Sequence, residues 1–146
     1  MKLNEIYALL DALAPKALSD EFCKNYGAYD NSGVLVDAGG EIDKALFSLD
    51  LSLAAVEEAK RAGAGLIVTH HPAAYSKIGG IRVSDFDPLG KKLAECLKHG
   101  ISVVSMHLNL DAAPFGIDES LMEGILSSAQ RAGAGLRPPK DVAAIY

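Results

Sequence analysis

Apolar positions near the start of the chain recur as they do along one side of a helix. Ile6, Leu9, Leu10 and Leu13 fall at helical spacing across residues 4–14, Asn4 stands where a cap belongs, and Pro15 lies just past the end. A polar stretch, Asn25 to Ser32, leads into Val34-Leu35-Val36, a short strand that Gly39-Gly40 ends in a turn. A strand–helix alternation then sets in. Ala45 to Leu49 reads as a strand closing on Asp50, and Ser52 caps a helix running through Arg61. Gly63 and Gly65 end that helix at backbone angles other residues resist. Leu66 to Thr69 is nearly all apolar, as in a strand buried on both faces, and it runs out on His70-His71-Pro72.

Beyond a loop containing Gly79-Gly80, Asp87 as cap and Pro88 at the first helical position open a further helix. Leu89, Leu93, Cys96 and Leu97 fall on one side of it, and Gly100 stops it. Ile101 to Met106 is the next strand, ending on His107. Asp118 caps a last helix over Glu119 to Arg131. The predicted fold class is α/β: a layered, mainly parallel sheet with right-handed crossovers and helices on both faces. The Val34 strand fits as an antiparallel edge.

Length and composition bound this picture. The 146 residues suit one domain, with 126–146 as an irregular or partly helical tail, and 49% hydrophobic content is enough for a true core. Arg-Ala-Gly-Ala-Gly-Leu occurs at 61–66 and again at 131–136, which reads as a reused helix ending. A net charge of −5 argues against a nucleic-acid partner and against a polybasic membrane contact. The N-terminal residues lack the apolar run of a signal peptide, and no segment approaches the ~20 apolar residues of a membrane span. Cys23 and Cys96 form neither a disulfide scaffold nor a CxxC motif; two reduced thiols imply a cytoplasmic location.

The candidate chemistry lies at the strand ends, where open α/β sheets gather ligands. Three consecutive strands finish on donors that metals accept: Asp50, then His70 and His71, then His107 with Asp111 four residues on. Imidazole with carboxylate suits a divalent transition metal, namely zinc, iron, manganese or nickel. Neighbouring side chains of extended backbone point opposite ways, so His70 and His71 are expected to serve two different ions, with Asp111 able to bridge them. Two ions ~3.5–4 Å apart suit a hydrolase. Asp50 reads rather as a loop or helix-end residue, His99 as a structural cation at a helix C-terminus, and Asn109 as a residue shaping the turn. No phosphate-binding glycine loop and no nucleophile elbow occurs, and Cys96 lies on an apolar helix face, so no catalytic residue is assigned.

Four segments, Asp30-Asn31-Ser32-Gly33, Ser48-Leu49-Asp50, Thr69-His70-His71-Pro72 and His107-Leu108-Asn109-Leu110-Asp111, together resemble the dinuclear-metal-centre family related to bacterial YbgI. That Nif-three-like family carries the label GTP cyclohydrolase I type 2 homologue, and the resemblance runs from about Ile6 to about Ile125. It implies a Nif-like α/β fold, a toroidal homo-oligomer built from dimers, and two adjacent metal ions. It places His70, His71 and Asp111 at family ligand positions and His107 close to the metals. Family members continue into a second α/β half that supplies a further histidine and glutamate; here no histidine follows His107, and Leu108 replaces the usual threonine. The site is therefore expected to be incomplete within this chain. It would hold a single metal weakly, borrow ligands from a partner chain, or stay empty. Two functions follow from this: a metal-dependent hydrolase of a small nucleotide-like or heterocyclic substrate, or a shortened, non-catalytic oligomeric metal-binding or assembly protein.

Overall fold

The computed structural model describes residues 1–84 and 88–133. Among them the elements run α1 (Leu3–Leu13), α2 (Lys16–Tyr26), β1 (Gly33–Val36), β2 (Ala45–Ser48), α3 (Leu53–Ala62), β3 (Leu66–Thr69), α4 (Pro88–Lys98), β4 (Ser102–Ser105), α5 (Leu108–Ala112) and α6 (Ile117–Arg131). The sheet order is β1-β4-β3-β2. β2–β3 and β3–β4 are parallel, while β1 joins β4 antiparallel with an irregularity between Val34 and Val36. The α/β class, the mainly parallel sheet and the antiparallel edge are as the hydrophobic pattern predicts.

β3 sits inside the sheet and all four of its residues are buried. Its side chains alternate between two cores, as a pleated strand requires. Ile67 packs with Val56, Leu93, Cys96 and Val103 on the side covered by α3 and α4. Leu66 and Val68 pack with Leu3, Val104 and Met106 on the other, where α1, α2 and α5 add Ile6, Leu18 and Leu110. Helices thus cover both faces.

Several local expectations are corrected. The first helix begins one residue earlier, with Lys2 in place of Asn4 at its cap, where Glu5 accepts from the Lys2 amide. Pro15 does not merely end α1. It starts α2, a helix that the sequence pattern leaves unassigned and that runs into the polar stretch from Asn25; Gly27 ends it at φ 63°. Ser52 caps α3 as predicted, accepting from Ala55 N at 3.0 Å. Gly63 closes that helix at φ 67°, but Gly65 does not adopt a left-handed angle. A Cβ at Gly65 would meet the Ile42 side chain at 3.4 Å, a close but ordinary contact. Gly116, not Asp118, caps α6, and Asp118 sits in its first turn. Leu97 is half exposed rather than aligned with Leu93 and Cys96. The expected Asp87 cap, the second copy of the repeat beyond Gly133 and most of the 126–146 tail lie outside the described residues; 126–131 belong to α6.

Cys96 has no exposed surface, and burial, with Glu95 beside it, pushes its thiol up to about 11. The thiolate is the reactive form. A thiol reagent near neutral pH is therefore expected to modify the partly exposed Cys23 and leave Cys96 untouched until the chain is unfolded. Mass spectrometry of the labelled native and denatured protein checks this.

Candidate metal centre

The strand ends bring the predicted donors together. β3 ends at Thr69, and the next two residues leave the regular ladder but stay bonded to the end of β2, His70 N donating to Ser48 O and His71 N to Leu49 O. The chain then bends. The two rings lie with centroids 5.0 Å apart, both near His107, at 5.3 Å from His70 and 6.0 Å from His71. The expectation that the adjacent histidines diverge, as in a continuing strand, fails here because these residues lie past the last regular strand position.

His107 is the cap of α5 rather than a plain strand end. The helical turn that follows explains the spacing of Asp111, because residues four apart share a helix face. Asp111 Oδ1 lies 3.6 Å from His70 Nε2. Ligand atoms of His70, His107 and Asp111 all fall within 4.8 Å of one another. His71 stands beside this trio rather than in it.

Each of the three histidines is oriented by an oxygen acceptor at Nδ1. His70 Nδ1 is 2.9 Å from the Met106 carbonyl, His71 Nδ1 is 2.8 Å from Asp50 Oδ1, and His107 Nδ1 is 2.8 Å from Asp30 Oδ1. A carbonyl cannot donate, so His70 carries its proton on Nδ1 and offers Nε2 as a lone pair. With Nδ1 engaged, Nε2 is also the nitrogen left to His71 and His107. This is how ligating histidines are usually held.

Two carboxylates differ in their surroundings. Burial works to raise the Asp30 carboxyl, yet hydrogen bonds from Ser19, Ser32 and His107 outweigh it and hold the group below the ordinary range. Asp111 is raised, chiefly by burial, which His70 and His107 only partly offset; Asp118 and Asp30 add smaller repulsion. A partly buried carboxylate beside imidazoles, short of positive charge, is suited to a cation.

Other predicted residues fall outside the trio. Asp50 is exposed and serves His71. His99, in the turn just beyond α4, faces Glu95 at 3.3 Å, a structural pair. Asn109 is buried and donates to Ala14 O at 2.7 Å, tying α5 to the end of α1. Asp30 lies in one of the sequence motifs, where nothing local shows its chemical role, and the part of Ser19 depends on α2, which the sequence pattern leaves unassigned. Tyr75 also went unassigned; its ring lies 5.9 Å from that of His107. Asn31 Nδ2 holds the Tyr75 loop by donating to Ala74 O at 2.8 Å and Ser76 O at 3.1 Å.

Fold and site together define an α/β protein with a histidine–carboxylate cluster at the carboxyl ends of its sheet. The chain belongs to the Duf34/NIF3 (NGG1p interacting factor 3) family, whose profile matches residues 1–133. It is 36% identical over 124 residues to a GTP cyclohydrolase 1 type 2 homolog of Clostridium perfringens, covering 84% of this chain and 44% of that one. Among solved structures it resembles a Bacillus cereus protein related to NIF3, with TM-score 0.72 and 28% identity over 86% of this chain and 32% of that one. It also resembles reduced HcgD from Methanocaldococcus jannaschii, with TM-score 0.69 and 31% identity over 84% of this chain and 46% of that one. The chain thus spans less than half the length of the relatives it matches. Among the described residues, no helix is long and apolar enough to cross a membrane.

Proposed function

We propose that this chain is a metal-binding protein whose His70, His107 and Asp111 hold a divalent transition metal, and that it serves a metal-dependent hydrolysis of a small nucleotide-like or heterocyclic substrate. The observation that carries this reading is the convergence of three ligand atoms within 4.8 Å, with the Nδ1 of both histidines already engaged by oxygen. Nitrogen and carboxylate donors of this kind suit zinc, iron, manganese or nickel. His71, oriented by Asp50 and adjacent to the trio, supplies a donor for a second ion. A bound ion of this type supplies Lewis acidity. The chain's own residues supply the rest. Met106 O and Asp30 orient the imidazoles, Asp111 brings negative charge, and the partly exposed rings leave an approach from solvent. The curated relatives' cyclohydrolase name supports a heterocyclic substrate. Metal analysis of protein purified without added metal tests the reading; absence of all four metals, together with no uptake of added zinc, defeats it.

A second feature favours a homo-oligomer. A cleft of about 490 Å³ beside His70 is walled by apolar side chains including Leu10, Phe47, Leu49 and Leu110. Leu13 and Phe47, both lining this cleft, are more than 70% exposed, and Phe47 lies on β2, an edge strand. Exposed apolar patches and open sheet edges are where chains associate. Light scattering coupled to size exclusion is expected to return a mass above that of the monomer, and a stable monomer contradicts it.

A further inference from the structure

Asp30 is a buried carboxylate with an organised set of partners. Its side chain is 1% exposed. Burying such a group is costly unless its oxygens are satisfied. Oδ2 takes both serines, accepting from Ser19 Oγ on α2 at 2.6 Å and from Ser32 Oγ just ahead of β1. Oδ1 is left for His107 Nδ1 at 2.8 Å. Ser32 completes the arrangement, because its Oγ also accepts from the His107 backbone N–H at 3.2 Å. The Asp30–Ser32 segment therefore grips His107 at two points, backbone and ring, across 77 residues of sequence.

We propose that Asp30 is a positioning residue, whose carboxylate fixes His107 in the Nδ1–H tautomer and so aims a free Nε2 lone pair into the cluster with His70 and Asp111. An ionised carboxylate accepts and cannot donate, so the shared proton belongs to the imidazole. If filling space were the only task, an apolar side chain at position 30 would do it without the desolvation cost. The serines spend both of their hydroxyl protons on Oδ2, which turns Oδ1 toward the ring. The consequence for metal affinity rests on the metal-site reading above; the tautomer itself does not.

The test is nitrogen NMR of the metal-free chain with labelled histidines, at a pH well above the ordinary imidazole value of ~6.5. His107 is assigned by the loss of its signals in His107→Gln. In the wild type its proton is expected on Nδ1. In Asp30→Ala it is expected to move wholly or partly to Nε2, while His70, held by the Met106 carbonyl, keeps its Nδ1 proton. A purely structural role would not move one ring and spare the other. Zinc affinity of Asp30→Ala is expected to fall ~10–100-fold, the usual loss for an outer partner of a ligand. A wild-type His107 protonated at Nε2 overturns the proposal, whether or not the variant folds; so does a tautomer that Asp30→Ala leaves unchanged. A tautomer switch in a protein that takes up no zinc upholds the positioning role and removes the metal reading alone.

Discussion

Replacing His70 or Asp111 by alanine is expected to weaken zinc binding by more than about 100-fold, while His99→Ala leaves it unchanged. The benchmark is the ~10–100-fold loss caused by removing a partner that only orients a ligand; deleting a ligand itself should exceed it. His70 Nε2 and Asp111 Oδ1 face each other at 3.6 Å in the trio that includes His107. His99 lies just past the end of α4, paired with Glu95. All three variants remove one polar side chain, so a difference among them reports location rather than chemistry. His71→Ala separates two arrangements. If one ion sits in the trio, the first equivalent of zinc binds as in the wild type and any second equivalent is lost. Titration followed by calorimetry reads each of these outcomes, and equal binding by all four variants would remove the case for this cluster.

Ile67→Ala is expected to destabilise the chain by ~2–5 kcal/mol, the range for losing a large buried aliphatic group and leaving a cavity. A domain of this size has only ~5–15 kcal/mol in total. The melting temperature should fall on the order of 10 °C, enough to threaten folding near body temperature. Ile67 has no exposed surface and lies in the core between β3 and the α3–α4 layer. Phe47→Ala removes a larger side chain from the edge strand β2, where 71% of it is exposed. Its effect on the melting of dilute chain should stay below that of Ile67→Ala. Thermal denaturation at low and high protein concentration checks both, and a concentration-dependent loss in Phe47→Ala would tie the edge strand to association.

The strand–helix alternation from Ala45 to Ser105 was legible because its signals are local. Ser52 caps α3, and the wholly apolar Leu66–Thr69 segment announces a strand covered on two sides. α2 was less visible. Leu18, Phe22 and Tyr26 do recur at helical spacing, but the helix's only fully buried residue is Ser19, and Pro15 reads equally as the end of α1. The same blindness hid the Asp30 network, since Ser19 lies on α2 and His107 lies 77 residues downstream of Asp30. Within the site, the four donors were evident from type and spacing, but their grouping was not. Strand alternation sends His70 and His71 apart on paper, whereas the bend beyond Thr69 brings both rings toward His107. The five-residue helix α5, too short to show a period, decides that His107 and Asp111 share one side.

Metal content per chain, measured alongside native mass on protein purified without added metal and again after zinc titration, tests the central claim most directly. The expected result is zinc, iron, manganese or nickel near one equivalent per chain, or uptake of zinc to that level, abolished by His70→Ala. A folded chain that neither carries nor takes up any of these ions would contradict the account.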